Sequence, residues 1–506
     1  MAQRMLSYEY QAEEGKTGMT SLAGLPTYMD LASATGLLRS LDRHLKIRGG
    51  SQGWTDRQMV FSLMMLNLAG GDCVEDIEKL EADEGLCRVI RLAEASGLAR
   101  KEKLGLASRW RKERTRTLPS ASAIFRYLSF FHDKEQEKQR AGGKAFIPAG
   151  NEHLKSLARI NSELIGFQRG NNAAETATID MDATLSETLK KNALYSYQGE
   201  QAYQPLNAYW WERGVILHTE FRDGNVPAGY EQLRVLKESL HYLPERVKKV
   251  RLRSDTAGYQ HDLLRYCGEG KNERFGRIEF AIGCDVTREF RKAVLEVPES
   301  DWHSLYRTVK GEKQETGRQW AEVCFVPAAI GHSKNGAAYR YLATREALRQ
   351  AELPGMNKKD EEYPFPVMGM QGIRYKTFGI VTNMDWTGDE LIPWLYARCG
   401  KSEEAHAAMK NDFAGGRFPS GDFGENAAWW WITVLAYNLN ALMKSLVLGD
   451  SWINKRMKAV RFGIINIAGR VIEHSRRLLI KISGYHPSCG LLLEARRRIA
   501  VLASSA

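Results

Sequence analysis

The stretch TATIDMDATLSE, residues 176–187, sets two carboxylates, Asp180 and Asp182, two positions apart within a run of Thr, Ile and Met. Side chains at i and i+2 of a β-strand point to the same face, so both acids would stand where an apolar residue is expected. Negative charge gathered at a strand end requires a counter-charge, either a basic side chain or a bound cation.

The segments that follow keep the same rhythm. NAYWWERG (207–214) and VILHTEFRDG (215–224) read as two more strands, with Gly214 and Gly224 at turns. GYEQLRVLKESLHYL (229–243) is helical, and VKKVRLRSD (247–255) is a fourth strand that ends at Asp255. A helix (257–267), a fifth strand (276–284) and another helix (287–297) complete a βββαβαβα order. This order, with acids at strand ends, predicts an α/β core. Upstream, 28–45 and 56–71 show helical periodicity, and the charged, Gly-containing DKEQEKQRAGGKAF (133–146) reads as a linker. Downstream, residues 302–385 turn β-rich, and helical periodicity returns in 388–413 and 426–449. The expected organisation is multidomain α/β. It comprises a helical N-terminal region (1–150), a core in two parts (171–300 and 386–450) around a β-rich insertion (301–385), and a basic C-terminal region (451–506).

A chain of 506 residues exceeds what one core usually holds. The longest nearly apolar run, AAWWWITVLAY (427–437), falls short of the roughly 20 residues a bilayer span needs, so no membrane segment is expected. The N-terminus shows no apolar stretch before a small-residue cleavage site, which predicts a cytoplasmic protein. Seven scattered cysteines without a Cys-x-x-Cys pair disfavour a disulfide framework or a zinc site. A net charge of +11 points toward a polyanion.

That charge is uneven. From Ser451 onward there are eleven Lys and Arg against two Glu, in a pattern that alternates basic with apolar residues. Such a tail can lie along a DNA backbone or merely solubilise, and its bias favours DNA. Residues 100–116 carry eight basic side chains, Arg111 and Lys112 among them, and lead into PSASAIFRYLSFF, where Pro119 with Ser120 or Ser122 can start a helix bearing Arg126. A helix-turn-helix-like reader on phosphates and a solvated basic loop fit this segment equally well.

Three acids are candidates for chemistry: Asp182 (with Asp180 as the lesser choice) at the end of the first strand, Asp255 at the end of the fourth, and Glu403 on a later helix. Ligands collect at the carboxyl ends of such strands, and converging carboxylates need a cation. Oxygen donors with few histidines select Mg²⁺ or Mn²⁺, and two such ions about 3.5–4 Å apart can serve an in-line attack at phosphorus. Taken singly, Asp255 also suits a helix cap and Glu403 a solvated helix face; their conjunction favours the site. Asp180, one pair deeper, would pair with a basic residue or support the metal ligands.

On one continuous helix, Tyr396, Cys399, Glu403 and Lys410 fall within about 60° of each other. This pattern resembles the DDE transposases of bacterial insertion sequences. Their subgroup with a β-insertion bears Tyr, two residues, Arg, three residues, Glu, six residues and Lys on the acid helix. DMDAT (180–184) is similar to the family's first acid motif, and RSDTAGY (253–259) to its second. The apolar helix 427–446 and the segment GGDCVEDIEKLEADEGL (70–86) also look like the family's. The resemblance implies a ribonuclease H-like core and catalytic and metal-binding roles for Asp182, Asp255 and Glu403 with two Mg²⁺ or Mn²⁺ ions. It further implies phosphate contacts by Tyr396 and Lys410, double-stranded DNA partners (terminal inverted repeats and target), a homodimeric synapse and a bacterial, nucleoid-associated setting. The departure is position 399, Cys in place of the family's Arg, with Arg398 alongside. A nuclease or resolvase without strand joining, and a transposase-derived DNA-binding protein with a dead core, are the competing readings. Of the tryptophans, Trp302 and Trp320 are expected in β-packing rather than stacked on a flipped base, and two of Trp429–Trp431 in a core with the third at a domain or DNA contact.

Overall fold

The computed structural model describes residues 10–12, 15–48, 53–95, 99–104, 116–140, 144–167, 175–309, 311–327, 339–348, 365–475 and 477–504. The chain forms two compact units, the first of residues 1–133, 150–164 and 408–506, the second of 134–149 and 165–407. Most of the region written from the sequence as 1–150 and all of 451–506 therefore share one unit.

The second unit is built on a ten-stranded mixed sheet. Its strands are β1 (Thr176–Ala183), β2 (Leu206–Trp210), β3 (Val215–Glu220), β4 (Lys249–Ser254), β5 (Glu279–Cys284), β6 (His303–Val309), β7 (Glu312–Val323), β8 (Arg340–Ala347), β9 (Val367–Met370) and β10 (Ile373–Thr382). The order is β3-β2-β1-β4-β5-β10-β8-β7-β6, with β9 paired on β10. β1 runs parallel to β4, and β4 to β5; every other pairing is antiparallel. Helices α1 (Gln232–His241), α2 (His261–Gly268) and α3 (Arg288–Leu295) follow β3, β4 and β5. Strands covered on both faces lose the usual polar alternation, and β1 shows it: Ala177, Thr178, Ile179, Asp180 and Met181 are all buried.

The β-rich segment continues this same sheet, because β10 pairs with β5 in the register Val381↔Ile282. Helix α4 (Gly388–Tyr396) then lies on it, burying Leu391, Ile392 and Leu395 against Ala281, Leu305, Trp320, Leu342 and Ile380. Trp320 is buried with its indole donating to Asp389 at 3.1 Å, and Trp302 is buried under the Arg345 guanidinium, 4.1 Å from its ring centre. Both thus pack as β-core residues.

In the first unit, helix Phe423–Leu442 is the centre of the core. Its polar side chains meet other helices: Tyr28 donates to Asn440 (2.7 Å), Asn67 to Thr433 (3.2 Å) and Asn438 to Asn161 (2.7 Å). Trp429, Trp430 and Trp431 are all buried, so of the two places expected for the third ring, a domain or a DNA contact, an exposed one on DNA is not what this fold presents. A helix hydrophobic all round needs no outward face, and the Trp429 indole is satisfied by the Ala414 carbonyl at 2.8 Å. Together with the following turn, Phe423–Leu448 is long and apolar enough to cross a membrane, and 78% of its most apolar window is buried within the protein, as in a core helix. The tail supplies the hairpin Gly469–His474/Arg477–Ile482 and helix Cys489–Ser504.

Candidate active site

Parallel pairing of β1 with β4 puts Asp180 opposite Arg253 and Met181 opposite Ser254, so the next pair along the two strands is Asp182 and Asp255. The deeper pair closes as a two-pronged bond: Arg253 Nε to Asp180 Oδ1 at 2.6 Å and Nη2 to Oδ2 at 2.8 Å, both side chains fully buried. Burial raises the Asp180 carboxyl above its ordinary pKa, and the guanidinium pulls against that shift. Arg253 also packs against the rings of Trp394 and Trp211, at 5.0 and 5.4 Å. Its Nη1 donates to the Trp394 carbonyl.

That last bond lies where α4 ends. The expected single helix is two, α4 and α5 (Arg398–Ala407), separated at Ala397. The rotation arithmetic that put Tyr396, Glu403 and Lys410 on one face fails across such a break. Tyr396 instead turns toward the β7–β8 side, its hydroxyl 3.3 Å from Thr344 Oγ1 and the Arg318 guanidinium 5.8 Å from its ring centre. Lys410 belongs to the π-helical turn Ala408–Asp412, in the first unit.

The upper acids sit differently. Asp182 is mostly buried, and burial first, then the charges of Asp255, Glu403 and Asp180, push its carboxyl up to about 6, while Arg398 draws it down. Arg398 Nη1 is 3.3 Å from Asp182 Oδ2, and the buried His406 holds Nδ1 3.9 Å from the same oxygen. Asp255 spends one oxygen on the amide of Ala257 (3.0 Å), capping the turn Thr256–Gly258, so the cap and the site make use of one residue. Glu403 is exposed on α5, as is Cys399. Asn207, opposite Asp182 in the β1–β2 register, is buried, and among the described residues its Nδ2 has no hydrogen-bond partner.

Asp182, its carboxyl raised by burial and by the neighbouring charges of Asp255 and Glu403, belongs to a donor set short of positive charge, and in chemistry it fits a hard divalent cation. Among the described residues no three His, Cys, Asp or Glu side chains are drawn together as a ready metal cage. Arg398 stands where that charge is needed.

Of the other residues expected at DNA, Arg126 is exposed on helix Ala121–Leu128, which Ser120 caps (3.3 Å to the Ala123 amide). Arg111 and Lys112 lie outside the described residues. Sequence reasoning missed Arg253, Asn207 and His406. For Arg253 the signal was present: Asp180/Asp182 and Arg253/Asp255 have the same spacing, which in parallel register gives one opposite-charge and one like-charge pair.

A cavity of about 580 Å³ opens beside these acids, lined by Asp182 and Asp255 together with Tyr195, Ser196, Tyr197, Gln204 and Asn225.

The family profile described as transposase DDE domain group 1 matches residues 10–504. A cryo-EM structure of the piggyBac transposase synaptic complex with hairpin DNA is similar over 95% of this chain and 78% of that one, at 10% identity and a TM-score of 0.38. A score that low carries nothing over to this chain. No curated protein matches the sequence.

Proposed function

The chain belongs to the DDE transposase family, and from that premise we propose that it binds the terminal inverted repeats of its own element, cleaves DNA there and joins the freed 3′-ends to target DNA. The observation that carries this reading is the like-charge pair Asp182 and Asp255 on adjacent parallel strand ends, with Glu403 acting on Asp182 from α5. The strand order β3-β2-β1-β4-β5, with β1, β4 and β5 parallel, supports a ribonuclease H-like core.

Asp182, Asp255 and Glu403 would hold two divalent cations, which supply charge stabilisation to the attacking and leaving oxygens of a phosphoryl transfer. The remaining work belongs to the chain's own side chains. The Asp180–Arg253 pair fixes the β1–β4 register, and through the Trp394 carbonyl it sets where α5 begins and hence where Glu403 stands. Arg398 lies against Asp182; with cations held by the acids it would be free to meet a DNA phosphate. The positive tail and the Arg126 helix offer the first unit phosphate contacts, and two copies would bring two element ends together.

The test is cleavage and joining of a labelled duplex carrying the element's end, in Mg²⁺, by the native chain and by Asp182→Ala, Asp255→Ala and Glu403→Ala. Loss of activity in all three with DNA binding retained is expected. A covalently joined product separates transposition from hydrolysis. Tight binding by a native chain that neither cuts nor joins would favour the dead-core reading, for which Cys399 is the support.

A further inference from the structure

We propose that the outward face of the hairpin Gly469–His474/Arg477–Ile482 docks in the major groove of duplex DNA, its apolar centre on base edges and its cations on the flanking phosphates. The assignment rests on the transposase reading above and adds to it a DNA surface remote in sequence from the acids.

Register fixes which side chains share the face. Arg470 stands opposite Lys481, Ile472 opposite Leu479 and His474 opposite Arg477, and Met19 joins the first row through its own pairing with Arg470. Paired residues project to one side of a sheet, and so do residues two apart, so all of these point the same way. The other face holds the hairpin in place. There Val471 is buried, Leu478, Ile480 and Ile482 are half-buried, and strand Gly469–His474 rests on helix Glu84–Ala95, whose Arg88 donates to the Val471 carbonyl at 3.3 Å. A hairpin anchored from behind presents its front as a fixed surface.

The front is built for a partner. Arginines of the last helix are matched to acids, Arg496 to Asp30 and both Arg497 and Arg498 to Glu494. Arg470, Arg477 and Lys481 are exposed, and the hairpin's one acid, Glu473, belongs to the opposite face. Arg470 places its Nε on the Thr17 carbonyl at 3.0 Å, which orients the guanidinium. Amid these cations lie Ile472, half-buried, Leu479, 39% exposed, and Met19, 49% exposed. Apolar side chains gathered within a charged rim mark an interaction site, whereas a face that merely solubilised would be polar throughout.

Charge then selects the partner. A second copy of this chain would bring Arg477 and Lys481 against their own kind, and cations on an edge strand oppose such pairing. DNA meets both demands of the face, with phosphates for the cations and thymine methyls for Ile472 and Leu479. The dimensions agree: strands of 6 residues span about 20 Å and lie about 5 Å apart, and a major groove about 12 Å wide admits a two-stranded ribbon.

The experiment titrates the full-length chain with a labelled duplex carrying the element's end, at several salt concentrations. Arg477→Ala with Lys481→Ala should flatten the slope of log affinity against log salt by about 2, one for each lost phosphate contact. Replacing thymine by deoxyuridine at successive positions removes one major-groove methyl at a time. Where the ribbon lies, native binding should weaken by about 3- to 5-fold. Leu479→Ser should lose a similar factor on the thymine duplex and almost nothing more on the deoxyuridine duplex, because both changes remove one contact. These side chains are exposed, so the melting temperature should hold. An unchanged salt slope, the lack of any thymine-dependent position, or losses that multiply would overturn the docking, while binding and cleavage by the native chain would leave the transposase reading standing. A Leu479→Ser chain that sediments as a smaller species with DNA affinity intact would also overturn it and give the face to a second copy. Native chain that binds no DNA would remove both.

Discussion

Asp180 and Asp182 share a strand, a face and a chemistry, and the fold treats them oppositely. One level down, Asp180 meets a guanidinium that fits it oxygen by oxygen, inside the sheet and walled by Trp211 and Trp394. One level up, Asp182 meets another acid on the neighbouring strand, a third on α5, and only longer contacts to Arg398 and His406. The lower pair is complete and the upper group is not. A completed buried pair holds structure, whereas an uncompensated set of carboxylates stores repulsion that only a ligand relieves.

The sharpest way to break this contrast is Asp180→Asn. It leaves Arg253 charged and buried without its partner, and should lower stability by about 3–5 kcal/mol in urea unfolding. Asp180→Leu with Arg253→Met should recover most of that loss but not cleavage, since Arg253 no longer holds the Trp394 carbonyl. Full recovery of cleavage would mean that the pair does nothing for the position of α5.

Asp182→Asn should act with the opposite sign. Its folded pKa, about 6, lies above the ordinary 3.8, so the folded state keeps a proton that the unfolded chain has released. Metal-free native protein should therefore lose stability as pH rises from about 4 to about 6, by up to about 3 kcal/mol, and then level off. Asp182→Asn should remove this slope and be the more stable protein at pH 7.5 in EDTA, while losing cleavage. A slope unchanged in the variant would assign it to another group.

Smaller effects test Arg398. Arg398→Ala removes the competitor for Asp182, so Mn²⁺ binding without DNA, followed by calorimetry, should tighten by about 3- to 10-fold while DNA cleavage weakens. Looser Mn²⁺ binding would show the guanidinium helping rather than competing. Cys399→Arg, on an exposed position, should change stability by less than about 0.5 kcal/mol. A gain in DNA affinity there would show that the family's arginine has a place to go even with Arg398 beside it.

Much of the site could be read along the chain because its pieces lie in regular strands. Thr, Ile and Met around Asp180 and Val, Leu and Ser around Arg253 announce buried strands, and an acid at the end of each is visible without knowing the pairing. The helical side was less legible. Pro393 and Gly400 flank the break without placing it at Ala397, whose backbone remains in the right-handed helical region, and the bond at this point comes from Arg253, far away in sequence. The cavity beside the acids was illegible for a similar reason, since Tyr195, Gln204, Asn225 and Asp255 come from separate loops and strand ends.

Periodicity and residue type by themselves determined that this chain has an α/β core, which strands end in acids, and that the acids suit hard cations, because those properties repeat every two or 3.6 residues and need no partner. Only the tertiary structure decided which acid would be satisfied. Parallel register set Arg253 beside Asp180 and Asp255 beside Asp182, and a carboxylate's role follows from the charge that packing brings to it.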